Sequence, residues 1–129
     1  MSIAGYNTQV LHVRFPDEGG ADIIPAIKAP STGITVLNAY VIADTTFDAD
    51  GSNYYAVNLI DGGQTGTGTT SMGGAGGASV DFTADTEAAM TLTQTGLDGG
   101  DWLHVQYTET GTVAPGNISV CVHYVIGGS

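Results

Sequence analysis

The sequence predicts an all-β fold, a single-domain antiparallel β-sandwich of about eight strands in a jelly-roll-like arrangement. Three observations carry that expectation. Helix formers are scarce in the 129 residues, with one Lys and only Glu18, Glu87 and Glu109 among the glutamates, whereas there are 20 glycines. Such a mixture, rich also in Thr and Ser, favours short strands and turns. Apolar side chains recur with a period of two, and turn residues return about every ten positions. With 42% hydrophobic and 12% charged residues, the chain has enough apolar side chains for one core and too few charges for a disordered chain.

Taken in order, 8–15 alternates Val10, His12 and Arg14 against Leu11, Val13 and Phe15, and the second set is expected to face the core. Residues 22–27 form a short apolar run broken by Pro25, which suits an edge strand or extended arm. Residues 33–43 are apolar on both parities, Ile34, Val36, Tyr40 and Ile42 against Leu37 and Val41, which predicts a strand covered on both faces, one of them by a second chain. An Asp/Gly/Asn turn over 48–53 leads into a strand at 54–60. The Gly-rich 62–77 reads as a long loop with a short edge strand near 65–70, and further strands are expected at 78–83 and 89–95. The last two strands, 101–109 and 117–126, are expected to pair as a hairpin, with Val105 opposite Val120, Leu103 opposite Val122 and Tyr107 opposite Ile118. That register places Trp102 beside His123 and His104 beside Cys121 on the opposite face.

Charge excludes more than it assigns. Only Arg14 and Lys28 are positive, against 13 Asp and Glu, for a net charge of −11. A nucleic-acid binder needs several Lys or Arg to displace counterions, and an anionic membrane needs a polybasic segment. Neither partner is expected. The acidity itself promotes solubility by self-repulsion. The single cysteine, Cys121, has no partner for an intramolecular disulfide. The first 15 residues lack the basic start and apolar stretch of a secretory signal, and no run reaches the ~18–20 apolar residues of a membrane-spanning helix.

Catalytic and metal motifs are weak. Trp102, His104, Cys121 and His123 would bring two imidazoles and a thiol to one face, a donor set suited to zinc, but their spacing is looser than in structural zinc sites. The segment Asp48–Asn53, with Asp44 or Asp61 nearby, resembles half of a calcium loop; Val57 stands where an EF-hand needs its acid. The Gly-rich 62–77 lacks the Lys of a phosphate-binding loop, the pairs Asp17/Glu18 and Asp85/Glu87 read as solvated turn residues, and no G-x-S-x-G occurs. No catalytic residue, metal or cofactor is therefore assigned. Trp102, Tyr54, Tyr55 and Tyr6 are candidates for a sugar-stacking platform.

The stretches GITVLNAYVIADTTFDADGSNYYAVNLIDGG (33–63) and LDGGDWLHVQYTETGTVAPGNISVCVHY (97–124) resemble the small all-β structural proteins of tailed bacteriophages. The likeness lies in the order of a strand, an Asp/Gly/Asn turn, a Tyr-rich strand, a Gly-Asp-led strand and a last strand after a Gly-bearing turn. It implies a non-enzymatic virion protein made in the host cytoplasm and placed on the capsid surface. Its partners would be the major capsid protein and further copies of itself, with a trimer favoured. The expected role is decoration (cementing) of the assembled head. The alternative is a head- or tail-fibre component or adhesin with a carbohydrate-binding sandwich. On this reading 1–32 forms a leading strand and arm and 33–129 the body of the one domain. Capsid docking falls to Arg14, Lys28, Phe15, Ile23 and Ile24. Subunit packing falls to Val36, Tyr40, Ile42, Trp102, His104 and His123.

Overall fold

The protein's structure is a computed structural model, and it describes residues 8–16 and 20–127. Among them there are ten strand segments and no helix: β1 (Gln9–Phe15), β2 (Asp22–Lys28), β3 (Ile34–Ala43), β4 (Tyr54–Gly63), β5 (Thr70–Gly76), β6 (Ala88–Ala89), β7 (Thr91–Leu92), β8 (Gly96–Leu97), β9 (Trp102–Thr110) and β10 (Ile118–Ile126). They build two five-stranded sheets. The first runs β1-β10-β3-β6 with β8 also on β3; the second runs β2-β9-β4-β5-β7. Every pairing is antiparallel. The pairs nest: β1 with β10, β2 with β9, β3 with β6 and β8, β4 with β5. One long antiparallel ribbon folded over into two facing sheets gives this order, and it is the jelly roll that the sequence predicts.

The core lies between the sheets. Ile34, Val36, Val41, Val120 and Val122 from the first sheet and Val57, Leu59, Leu103 and Val105 from the second are all within 1% of complete burial. Each such side chain taken from water contributes about 1.5–3 kcal/mol, so the inward rows rather than any single contact hold the sheets together. An aromatic group closes one region, where Tyr55 contacts Phe47, Phe82 and Tyr107 at centroid distances of 5.5, 4.4 and 5.5 Å.

Four expectations are corrected. Strands β9 and β10 do not form a hairpin, since β9 lies between β2 and β4 and β10 between β1 and β3. The turn between them crosses from one sheet to the other. Leu103, Val105 and Tyr107 do share an apolar core with Ile118, Val120 and Val122, but across the sandwich. Second, β3 does not keep one parity. Its register on β10 shifts, with Val36 opposite Tyr124 and Asn38 opposite His123, leaving Leu37 as the extra residue of a bulge. Ile34 and Val36 consequently face the core while Tyr40 and Ile42 do not. Third, 78–83 contributes only an isolated bridge, Phe47 to Phe82, and 89–95 breaks into two-residue pieces that touch both sheets in turn. Fourth, the Gly-rich segment expected as a long loop with a short edge strand near 65–70 instead contains β5 (Thr70–Gly76), held between β4 and β7. Cβ atoms built at Gly73 and Gly74 would stand 2.1 Å from the Thr91 carbonyl oxygen and 2.2 Å from that of Val57. Glycine is needed there because neighbouring backbone occupies the side-chain space.

Strands β1 and β2 are edge members of opposite sheets and lie on the same side of the sandwich. Pro25 sits on such an edge, beside a register shift between Pro25 and Ile27, where a missing N–H costs least.

Candidate interaction faces

A jelly roll of this kind leaves one outer face on each sheet, and the pleat decides what each face displays. On the first sheet the outward rows are Val10–His123–Asn38, His12–Cys121–Tyr40–Ala89 and Arg14–Ser119–Ile42. Val10 is 61% and Leu37 48% exposed, large values for aliphatic side chains. The Tyr40 and His123 rings lie 5.9 Å apart, and Tyr40 is hydrogen-bonded to Cys121, an interaction that holds the phenol above its ordinary pKa. A shallow depression of about 420 Å³ is lined by Asn38, Ala39, Tyr40, Glu87, Ala89 and His123. Arg14 is exposed and forms no ion pair with another described residue.

On the second sheet the outward rows are Ile23–Gln106–Asn58, Pro25–His104–Ile60 and Lys28–Trp102–Gly63. Here the chain covers part of its own face. His104 and Ile60 are only 8% and 4% exposed, and a Cβ at Gly62 would stand 3.2 Å from the His104 ring, one at Gly66 3.3 Å from Trp102 Cδ1. Lys28 Nζ stands 5.9 Å from the Trp102 ring centroid, within the range of a cation–π contact. A groove of about 240 Å³ runs between Pro25, Thr65, Gly66, Trp102 and His104.

The residues singled out from sequence are thus dispersed. Phe15 and Val36 are core residues, 4% and 1% exposed, with no side-chain surface for a partner; Phe15 packs 6.0 Å from Tyr107. Ile24 is half-buried against the core, while Ile23 is 44% exposed. Arg14 and Lys28 stand on different sheets. Tyr40, Ile42 and His123 do share a face, but Trp102 and His104 lie on the other sheet. The four-residue cluster of Trp102, His104, Cys121 and His123 consequently does not assemble, because its two strands are not neighbours. Among the described residues no three His, Cys, Asp or Glu lie together as a metal site would require.

The acidic turns have work of another kind. Asp50 accepts hydrogen bonds from the Ser52 and Asn53 amides and from Asn53 Nδ2, which hold its carboxyl below the usual range, the Ser52 bond most. Asp44 accepts from the Asn117 amide and side chain and from Thr45 Oγ1, and the Asn117 side chain is the main cause of its lowered pKa. Both carboxylates fasten turns. Of the aromatic candidates for a sugar platform, Tyr55 is buried, Tyr54 and Trp102 are half-buried, and Tyr6 lies outside the described residues, as do Asp17 and Glu18. Sequence reading did not place Val10, Leu37 or Glu87 among the interface residues. Val10 carried a signal in its outward parity in β1 and Leu37 in the second apolar parity of β3, but Leu37 reached the surface through a bulge that periodicity does not reveal, and Glu87 read as a solvated turn residue.

No protein-family model matches the chain, and no curated protein matches it. Among solved structures, a chain of the cyanophage Pam1 capsid asymmetric unit aligns with a TM-score of 0.53 at 20% identity, over 98% of this chain and 91% of that one. A chain of infectious bursal disease virus, Gt strain, aligns with a TM-score of 0.36 at 14% identity, over 94% of this chain and 33% of that one. The first alignment shows a fold shared along nearly the whole of both chains.

Proposed function

We propose that this protein is a non-enzymatic structural component of a virion that decorates the assembled capsid and stabilises it. The observation that carries this reading is the end-to-end sharing of its fold with a chain of a cyanophage capsid asymmetric unit. Coverage of 98% and 91% means the two chains are of nearly equal length, so the likeness is of whole small proteins rather than of one domain in a large shell subunit. The surface supports the same role. Most carboxylates lie in loops and at strand ends, while the outward face of each sheet is mainly aliphatic, aromatic and neutral polar, with one cation on each, Arg14 and Lys28. Such a face adds contacts to a shell, and a ligand that binds only the assembled state stabilises it by mass action.

Co-sedimentation tests the proposal. Purified protein is mixed with heads that lack it and run on a glycerol gradient. It should travel with the heads, saturate at a fixed copy number and raise the temperature at which they disrupt. Protein that stays at the top of the gradient at every concentration would overturn the reading.

A second reading rests on the groove beside Trp102. A half-buried indole with a cation over it, opening next to Thr65 and Pro25, offers the stacking surface a sugar ring needs, and double-sheet jelly rolls also occur in lectins. This would make the protein a fibre tip or adhesin. Binding on a glycan array that is lost in Trp102→Ala would favour it over decoration.

A further inference from the structure

We infer that the outer face of the first sheet is the contact between two copies of this chain, packed face to face about a two-fold axis. The inference stands apart from the capsid reading and holds for any role. Two copies, each with a net charge of −11, repel one another unless they meet where carboxylates are few. Both outer faces satisfy that condition, but on the second sheet His104 and Ile60 are already nearly buried within the chain, and Ile23 is exposed on its edge strand. The first leaves Val10 and Leu37 in water.

Charge placement selects the geometry. Arg14 lies on the β1 edge, in the row of Ser119 and Ile42. Glu87 lies at the opposite edge: Ala88 pairs with Val41, so the preceding Glu87 continues to the level of Ile42 and lines the outer depression with Tyr40. The two charges therefore occupy opposite ends of one row, separated by three strand spacings, about 14 Å. They do not meet within one chain. The acid that feels Arg14, Asp44, already has its oxygens bound by Asn117 and Thr45. A two-fold axis between facing sheets, parallel to β10 and β3, exchanges the sheet edges and keeps each row level. Arg14 of each copy then falls on the partner's Glu87, twice, with Tyr40 and Cys121 closing the dry centre at the ~10 Å separation of packed sheets.

The test is sedimentation equilibrium of the full chain over a wide concentration range, with variants at two exposed positions that leave the core untouched. Wild type is expected to form a dimer that weakens with added salt. Arg14→Glu and Glu87→Arg should each weaken it by tenfold or more, since every substitution places like charges together twice. The double variant Arg14→Glu/Glu87→Arg should restore it. A monomer throughout, a trimer, or a dimer that the exchange of charges does not rescue would each overturn the inference.

Discussion

The Tyr55 ring stacks on Phe82 with centroids 4.4 Å apart and an interplanar angle of 10°. Phe82 is tied to the body by its bridge to Phe47, so this stack anchors the irregular crossing that follows β5. The Tyr55 hydroxyl is buried with no hydrogen-bond partner among the described residues, and burial pushes its pKa far above the ordinary value.

Tyr55→Phe should therefore keep the stack and remove an unsatisfied polar atom, raising stability by about 1 kcal/mol. A pH series separates this from a packing effect. Above pH 10 the unfolded phenol loses its proton while the folded one retains it. The native state then binds more protons, and stability falls as pH rises. In Tyr55→Phe that part of the alkaline loss should vanish. Denaturant melts at pH 7 and pH 10.5 measure both effects; a variant less stable at each pH would show that the hydroxyl is satisfied.

Gly73 should resist substitution more than its place in a Gly-rich segment implies. It has φ of +122°, and a Cβ would stand 2.1 Å from the Thr91 carbonyl oxygen. Gly73→Ala is expected to cost on the order of 3 kcal/mol by driving β7 off β5. Gly77→Ala provides a control for strain alone, because φ there is +127° and nothing lies within 4 Å of its added Cβ. Equal losses in chemical denaturation would place the cost in backbone conformation instead of in strand contact.

What alternation revealed was the inward parity of β1, β9 and β10, because a half-buried strand must alternate. It did not reveal which sheet each strand joins. Val105 and Val120 look alike whether they are neighbours in one ladder or partners across a core, so the apolar set was legible and its pairing was not. Strand β5 was hidden because Ser71–Gly76 carries almost no β-favouring side chain; contact with Val57 and Thr91 backbone makes it a strand. The interaction faces suffered most. Placing Tyr40 with Val36 required an unbroken period of two, and one extra residue at Leu37 turned them to opposite sides.

Asp44 links the end of β3 to the start of β10 through Asn117. Its carboxyl is held below the ordinary range, so the stability it contributes is fully present above pH 4 and is lost as pH falls through the depressed folded value. Asp44→Asn should lower the melting temperature at pH 7 and flatten the loss between pH 4 and pH 2. A variant whose melting temperature declines in parallel with wild type over that interval would show that other carboxylates carry the acid sensitivity.

Removal of residues 1–28 tests whether the leading segment is an arm or part of the body. As an arm it would leave a folded remainder that no longer docks. The topology argues otherwise. Deletion takes β1 from β10 and β2 from β9, exposing one ladder edge on each sheet at the same side of the sandwich. It also takes Val13 and Phe15 out of the core and opens Ile118, Val120 and Val105 to water. Losses of that kind, each worth a few kcal/mol, together are comparable with the 5–15 kcal/mol by which an ordinary domain is stable. The fragment 29–129 is therefore expected to lack a cooperative thermal transition and sharp near-ultraviolet circular dichroism. A fragment that melts cooperatively within a few degrees of the full chain would restore the arm, and docking could then be assigned to it by deletion. Otherwise the exposed Arg14 and Lys28 must be tested by charge reversal, which leaves both edge strands in place.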